Sequence, residues 1–331
     1  MERAYPSAAP LDLAACHRER AWLISASADF WLVCAGGGLV LIILALVLHT
    51  FGDAQLALAD ILLGELHLGA TYGAIAQGRL WRRMPLDVVV VPLCILAATY
   101  AMTYGGQTIV LATVALYLAA WHRGRQNFGV ARYYQLRMGG TRSSLHDVLF
   151  KAAVYLPMIA GVAYFTSTSP LHEGEAFIGL EIDPHVVWAL GVLAAASLAA
   201  YLAFAACNSD RVHPGEWWLV IANAAAFGSA YVLGAWSFSF ILVLALHHEI
   251  QYLCFTYAIH RRRGAAPRST RSERRRLASF ALWPAIGLAS WAACTVADAE
   301  WLAPLLVGGL LCHYWLDSRI WTARARRLAA R

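Results

Sequence analysis

The chain has 331 residues, of which 60% are hydrophobic and only 14% charged, and its mean hydropathy is +0.55. A water-soluble domain of this length needs a larger charged surface, so the composition excludes an ordinary soluble fold and indicates an integral membrane protein. The formal net charge of +6 does not indicate nucleic-acid binding, because the arginines stand in short clusters between apolar runs, as topology signals do.

Apolar runs long enough to cross a bilayer, which takes about 20 residues, follow one another along the whole chain. They cover residues 30–50, 57–76, 86–104, 108–125, 145–166, 185–207, 217–236, 238–260, 277–297 and 301–321. The predicted fold class is therefore all-α, a polytopic transmembrane bundle of about ten helices. We expect a cytoplasmic N-terminal segment at 1–29, a single transmembrane domain at 30–322 and a basic cytoplasmic tail at 323–331.

The charges of the connections alternate between the two ends of these predicted helices. Arginine clusters fall in every second connection, whereas the connections between them contain neither lysine nor arginine, and the longer of these carry acidic residues such as Glu173 and Asp298. The positive-inside rule then predicts that both termini lie in the cytoplasm, with the protein in a bacterial-type inner membrane. The arginine-rich stretch 261–276 is expected to lie near anionic lipid headgroups.

Five of the twelve histidines lie inside four of the predicted helices: His67, His122, His247, His248 and His313. Ionisable groups inside a bilayer are costly and usually functional. These four are the second, fourth, eighth and tenth of the ten predicted helices, so all four are predicted to cross the membrane in the same direction. Their histidines are predicted to lie at overlapping depths. We therefore predict that the five histidines are ligands of a metal site. The other seven histidines fall in tails, loops or helix ends, where surface positions are expected.

Polar residues accompany these histidines, most of them at helical spacing on the same helix face. A metal-bound imidazole usually donates its other ring N–H to such a group, which fixes its tautomer. The residues predicted to orient the ligands are Asp60, Gln126, Glu249, Gln251 and Asp317. The adjacent His247 and His248 lie about 100° apart on a helix, so either they serve two metals or one of them supports the other.

Imidazole ligands with some carboxylate and no thiolate suit iron, zinc or copper. The seven cysteines form no CxxC pair, which argues against a thiolate site or a disulfide framework. We expect one or two non-haem iron ions, with haem or zinc as the alternatives.

The His247-His248 pair on a predicted membrane helix, with His67, His122 and His313 isolated on others, resembles the membrane histidine-box enzymes. These are the fatty-acyl desaturases and hydroxylases and, more loosely, the Brp/Blh carotenoid dioxygenases. The resemblance implies a metal-dependent oxygenase, hydroxylase or desaturase that uses O₂ on a lipophilic substrate. It covers four short segments, lacks the compact HxxxH and HxxHH boxes, and carries over no catalytic residue.

Two other functions are compatible with the same residues. One is a haem-binding electron-transfer protein, in which histidines of facing helices are axial ligands. The other is a proton-coupled transporter with a relay through Asp60, Glu65, His67 and Glu249. The chain has no flavin, nicotinamide or iron–sulfur motif, so any electron donor is expected to be external. Membrane lipids and a lipophilic substrate are the expected partners, and nucleic acid is not.

Overall fold

The structure is a computed structural model, and it describes residues 22–34, 53–78, 80–137, 143–168, 177–235, 239–262, 278, 280–290, 292 and 303–329. Within these ranges all regular secondary structure is helical, which confirms the predicted all-α fold class. Residues 35–50 of the predicted span at 30–50 and the C-terminal part of the one at 277–297 lie outside the described residues.

The helices in chain order are α1 (Ala26–Leu32), α2 (Asp53–Gly78), α3 (Leu80–Arg83), α4 (Val91–Tyr104), α5 (Thr108–Arg137), α6 (Ser144–Thr168), α7 (Pro184–Cys207), α8 (Pro214–Gly234), α9 (Ser239–Arg262), α10 (Phe280–Ser290) and α11 (Ala303–Ala329). A π-helical turn, Leu86–Val90, leads directly into α4. Helices α5 and α11 continue well beyond the ends of the predicted runs at residues 125 and 321. An apolar run marks only the part of a helix that lipid favours, whereas the backbone hydrogen bonding can continue past it.

Five helices in the described part of the chain are long and apolar enough to cross a membrane. They are Leu86–Tyr104, Ser144–Thr168, Pro184–Cys207, Pro214–Gly234 and Phe240–Ile259. In α2 the apolar portion, Ile61–Ala76, is shorter than these spans. Helices α2, α5 and α11 carry the predicted ligands His67, His122 and His313. Their polar residues interrupt the apolar character that marks the other spans.

Helices α8 and α9 lie at the centre of the bundle. Helix α9 packs against α2 and α8, while α11 packs against α4, α5 and α2, and α6 packs against α7 and α8. Helices α4 and α7 lie at the periphery and expose large apolar side chains, among them Trp188, which is 75% exposed, and Val192, which is 63% exposed. Apolar faces of this kind suit contact with lipid rather than water.

Helices α2 and α10 cross with their backbones in close contact. A Cβ atom added to Gly69 would overlap the carbonyl oxygen of Trp283, and one added to Gly287 would overlap that of Glu65. Small residues allow such an approach between membrane helices, where packing and not water exclusion drives association. The glycines therefore bring α2, with its predicted ligand His67, directly against α10.

The short helix α1 is tied into the bundle by buried polar groups. The Asp29 carboxylate accepts hydrogen bonds from the backbone N–H groups of Leu23 and Ile24 and from the Tyr134 hydroxyl of α5. The carbonyl oxygen of Val33 accepts a 2.7 Å hydrogen bond from Nε2 of Gln251 on α9. Residues 22–34 are thereby held against the same helices that carry the histidines.

Candidate metal centre

Three histidines from three different helices point the same ring atom at one place. Nε2 of His67 on α2 lies 2.9 Å from Nε2 of His313 on α11. That atom in turn lies 3.2 Å from Nε2 of His122 on α5. All three side chains are buried, with exposed fractions between 2% and 6%. The bundle therefore gathers three imidazole donor atoms in a space from which water is largely excluded.

Asp317 completes this group. Its Oδ2 lies 3.8 Å from Nε2 of His122 and 3.9 Å from Nε2 of His313. One donor atom from each of His67, His122, His313 and Asp317 lies within 4.8 Å of all the others, so the group can hold a metal ion. A tetrahedral site with metal–nitrogen bonds of about 2.0–2.1 Å places its ligand atoms about 3.3 Å apart. The observed separations bracket that value.

The helices bring these residues together because they run in register. His67 on α2 contacts His313 on α11, and one turn further along each helix Thr71 contacts Asp317. Contacts at i and again at i+4 on both helices require α2 and α11 to run in the same direction. Tyr252, four residues after His248, also contacts both Thr71 and Asp317, so α9 shares that direction. The relative direction of these helices agrees with the sequence prediction.

The two adjacent histidines of α9 face different surroundings. The His248 ring centroid lies 4.9 Å from that of His67 and 5.0 Å from that of His122, so His248 borders the donor group. The His247 ring instead faces the backbone of Cys34, beside α1, and its Nε2 makes no hydrogen bond within the described part of the chain. Among the described residues no ring contact joins His247 to the group. The structure therefore brings together four of the five predicted ligand histidines and turns the fifth elsewhere.

The residues predicted to orient the ligands occupy varied positions. Gln126 donates to the backbone oxygen of His248 and to Oε1 of Gln251, forming a chain of amides that ends at Val33. Glu249 is buried beside α2, where its Oε1 would lie 3.0 Å from a Cβ atom at Gly64. The side chain of Asp60 lies outside the described residues.

Asp317 was predicted to orient His313, whereas in the structure it offers a donor atom of its own. The i,i+4 spacing brings its carboxylate to the Nε2 edge of His313, where the other histidines also point. The Nδ1 atoms of His67 and His313 make no hydrogen bond within the described part of the chain. The spacing argument identified the neighbour correctly, but spacing does not reveal which ring nitrogen the neighbour meets.

Three residues of the centre were not predicted to contact the ligands. Thr71 and Tyr252 contact Oδ1 of Asp317, and the Tyr252 ring stacks on His67 with centroids 4.0 Å apart and planes 9° from parallel. Tyr314 of α11 stacks on His122 with a centroid distance of 4.7 Å. Thr71 and Tyr252 stand four residues after His67 and His248, so the helical spacing used for Asp317 was the signal that could have found them.

A second buried polar cluster joins α5, α6, α7 and α8 away from the donor group. Nε2 of His146 lies 2.8 Å from Oε1 of Glu216, which also accepts a 3.0 Å hydrogen bond from the Tyr201 hydroxyl. His213 is fully buried as well, stacks on Tyr134, and accepts a hydrogen bond from the Gly215 N–H at Nδ1. The expectation that the remaining histidines lie at the surface is thus wrong for His146 and His213, because neighbouring helices cover these helix ends.

Fold and site together define a class: an all-α protein with helices able to span a membrane and a buried group of three histidines and one aspartate that can hold a metal ion. Comparisons of the chain with protein-family models, with curated proteins and with solved structures found no match. The functional argument accordingly begins from the donor group itself.

Proposed function

We propose that this protein is a membrane-embedded non-haem iron oxidoreductase that uses O₂ on a lipophilic substrate. The observation that carries the proposal is the convergence of Nε2 atoms from His67, His122 and His313 on Oδ2 of Asp317 within a buried space. His67, His122, His313 and Asp317 bind the metal, and His248 lies beside two of these ligands, His67 and His122.

The donor set favours a divalent transition metal. Three imidazoles with one carboxylate suit iron, zinc or copper, whereas calcium and magnesium prefer oxygen ligands. The single carboxylate supplies negative charge that offsets part of the charge of a divalent ion, which matters where water is excluded. Zinc has no redox chemistry, and among the two redox metals it is iron that non-haem oxygenases hold with a mixture of histidine and carboxylate ligands.

The distances favour a non-haem site over the haem alternative. In a bis-histidine haem the two axial nitrogens lie on opposite faces of the porphyrin, about 4 Å apart for metal–nitrogen bonds of about 2 Å. Here the Nε2 atoms of His67 and His313 are only 2.9 Å apart, and that of His122 lies 3.2 Å from the latter. With the Asp317 carboxylate on the same spot, no plane is left for a macrocycle.

The surroundings support a lipophilic substrate and an oxidative reaction. The donor group lies within a bundle whose outer helices expose apolar side chains, so a substrate dissolved in the bilayer can approach from the side. Iron held by His67, His122, His313 and Asp317 would bind O₂ at a coordination position beyond these four ligands. The chain's own residues hold that position in a dry environment, and an external protein or small molecule supplies electrons where the reaction needs them.

Charge distribution supports an orientation for the protein as well. We place both termini in the cytoplasm and the whole membrane domain, residues 30–322, in an inner membrane, because the arginine clusters fall in every second connection. In that orientation α2, α5, α9 and α11 run from the outer towards the cytoplasmic face.

The first test is the metal content and absorption spectrum of the protein purified in detergent. The expected result is about one iron per chain with no Soret band, since the donor atoms of one group lie close enough for a single ion. The reduced protein is expected to bind nitric oxide, an analogue of O₂, and to give the electron paramagnetic resonance signal of a high-spin iron–nitrosyl centre. That signal reports an open coordination position.

The control is His185→Ala, which changes an exposed histidine at the start of α7 and is expected to keep the metal. Folded protein that contains no metal and does not take up added iron, cobalt or zinc would contradict the proposal. A Soret band would favour the haem alternative. Iron without nitric oxide binding would keep the metal site but remove the oxygenase function.

A further inference from the structure

We propose that Thr71 and Tyr252 are positioning residues that make Asp317 bind the metal through Oδ2 alone. The proposal rests on the metal centre proposed above and adds how its one carboxylate is held. A carboxylate that binds through a single oxygen contributes one ligand atom, so the centre has three nitrogens and one oxygen from His67, His122, His313 and Asp317.

The two carboxylate oxygens of Asp317 have separate surroundings. Oδ1 lies 2.8 Å from the Tyr252 hydroxyl and 3.0 Å from the Thr71 hydroxyl, and these two hydroxyls are 2.6 Å from each other. Oδ2 lies on the opposite side, 3.8 Å and 3.9 Å from the Nε2 atoms of His122 and His313. Hydrogen bonds to Oδ1 fix the rotation of the carboxylate about its last bond, and this rotation directs Oδ2 towards the histidines.

Tyr252 also contacts a second ligand. Its ring stacks on that of His67, with centroids 4.0 Å apart and planes 9° from parallel. One side chain of α9 therefore restrains a ligand from α2 by stacking and a ligand from α11 by hydrogen bonding. Tyr252 is 1% exposed and Thr71 0%, so neither group is competing with water for these contacts.

Loss of the hydrogen bonds to Asp317 is expected to lower the affinity of the centre for its metal. Residues that hydrogen-bond a metal ligand from outside typically change affinity about 10- to 100-fold when they are removed. Without its hydroxyl partners the Asp317 carboxylate can rotate or present both oxygens, and the geometry that favours one ion over another is lost. The Tyr252 phenol is expected to matter more than the Thr71 hydroxyl, because it restrains two ligands.

The experiment is a titration of metal-depleted, detergent-solubilised protein with Co²⁺, followed by the visible absorption of the bound ion. We expect Tyr252→Phe to weaken Co²⁺ binding about 10- to 100-fold and to change the intensity of the absorption bands, since these report coordination geometry. Thr71→Val is expected to weaken binding in the same direction, and Thr71→Ser, which keeps the hydroxyl, to restore it.

The matched control is Tyr201→Phe. Tyr201 is a fully buried tyrosine that donates to Oε1 of a buried carboxylate, Glu216, in the second polar cluster. Its replacement removes the same kind of hydrogen bond and is expected to lower the unfolding temperature similarly, but to leave Co²⁺ affinity and the spectrum unchanged. This comparison separates positioning of a metal ligand from a general loss of stability.

Two outcomes would overturn the proposal, and they are distinguishable. If the unchanged protein is folded and binds no Co²⁺, the proposed metal centre is contradicted, and so is the proposed role of Tyr252. If the unchanged protein binds Co²⁺ but Tyr252→Phe and Thr71→Val bind it with the same affinity and spectrum, only the positioning role is wrong. Should Tyr252→Phe fail to fold, Thr71→Val and Thr71→Ser decide the question.

Discussion

Single side chains determine which histidines can act as ligands. Nε2 of His313 lies within 3.2 Å of the equivalent atoms of both His67 and His122, so it is the atom that the other donors share. His247 is next to His248, which borders the same group, yet its ring faces the backbone of Cys34. Successive side chains on a helix point about 100° apart, so on α9 His248 lies beside the donor group whereas His247 lies beside α1.

This difference gives a prediction for two alanine variants. His313→Ala is expected to lose bound metal, because it removes the central donor, whereas His247→Ala is expected to keep metal near the level of the unchanged protein. Metal analysis of both purified variants, with folding checked by gel filtration and circular dichroism, makes the comparison. Metal loss in His247→Ala alone would show that the ligand set includes the opposite face of α9.

Among the helices, the close crossing of α2 and α10 supports the position of His67. A side chain at Gly69 would meet the backbone of α10, which cannot move aside as a flexible side chain can. Gly191 of α7 offers a matched position, since a Cβ atom added there meets nothing within 4 Å. The two glycines lie inside helices and differ in their surroundings.

We expect Gly69→Ala to destabilise the protein by about 1–3 kcal/mol, the usual cost of forcing extra atoms into a packed contact. Gly191→Ala is expected to leave stability unchanged or slightly higher, because alanine favours helix over glycine. Thermal unfolding in detergent, followed by circular dichroism, measures both. Equal unfolding temperatures for the two variants would mean that α2 and α10 do not approach as closely as described.

The helices and the site differ in how far the sequence predicts them. Apolar runs predicted the five helices that can cross a membrane to within a few residues, because lipid imposes a length on each of them, but they did not predict how far α5 and α11 continue. The common depth of His67, His122, His248 and His313 predicted their convergence. The rotation of α9, and hence the separate surroundings of His247, depends on packing against several helices at once, which one helix's sequence does not contain.

For the molecule as a whole, the alternation of arginine clusters predicts which connections face the cytoplasm. Alkaline phosphatase requires disulfides and folds only outside the cytoplasm. Fusion of this enzyme after Gly106, in the turn between α4 and α5, is therefore expected to give activity, and fusion after Arg211, between α7 and α8, is expected to give none. The reverse pattern would invert the proposed orientation without affecting the donor group.

The central claim is that His67, His122, His313 and Asp317 bind a metal ion, and X-ray absorption spectroscopy of the iron-loaded protein tests it most directly. The predicted result is a first shell of nitrogen and oxygen atoms at about 2.0–2.2 Å, with the outer-shell scattering of at least three imidazoles and no sulfur. A spectrum dominated by water oxygens, by sulfur or by a porphyrin would contradict it.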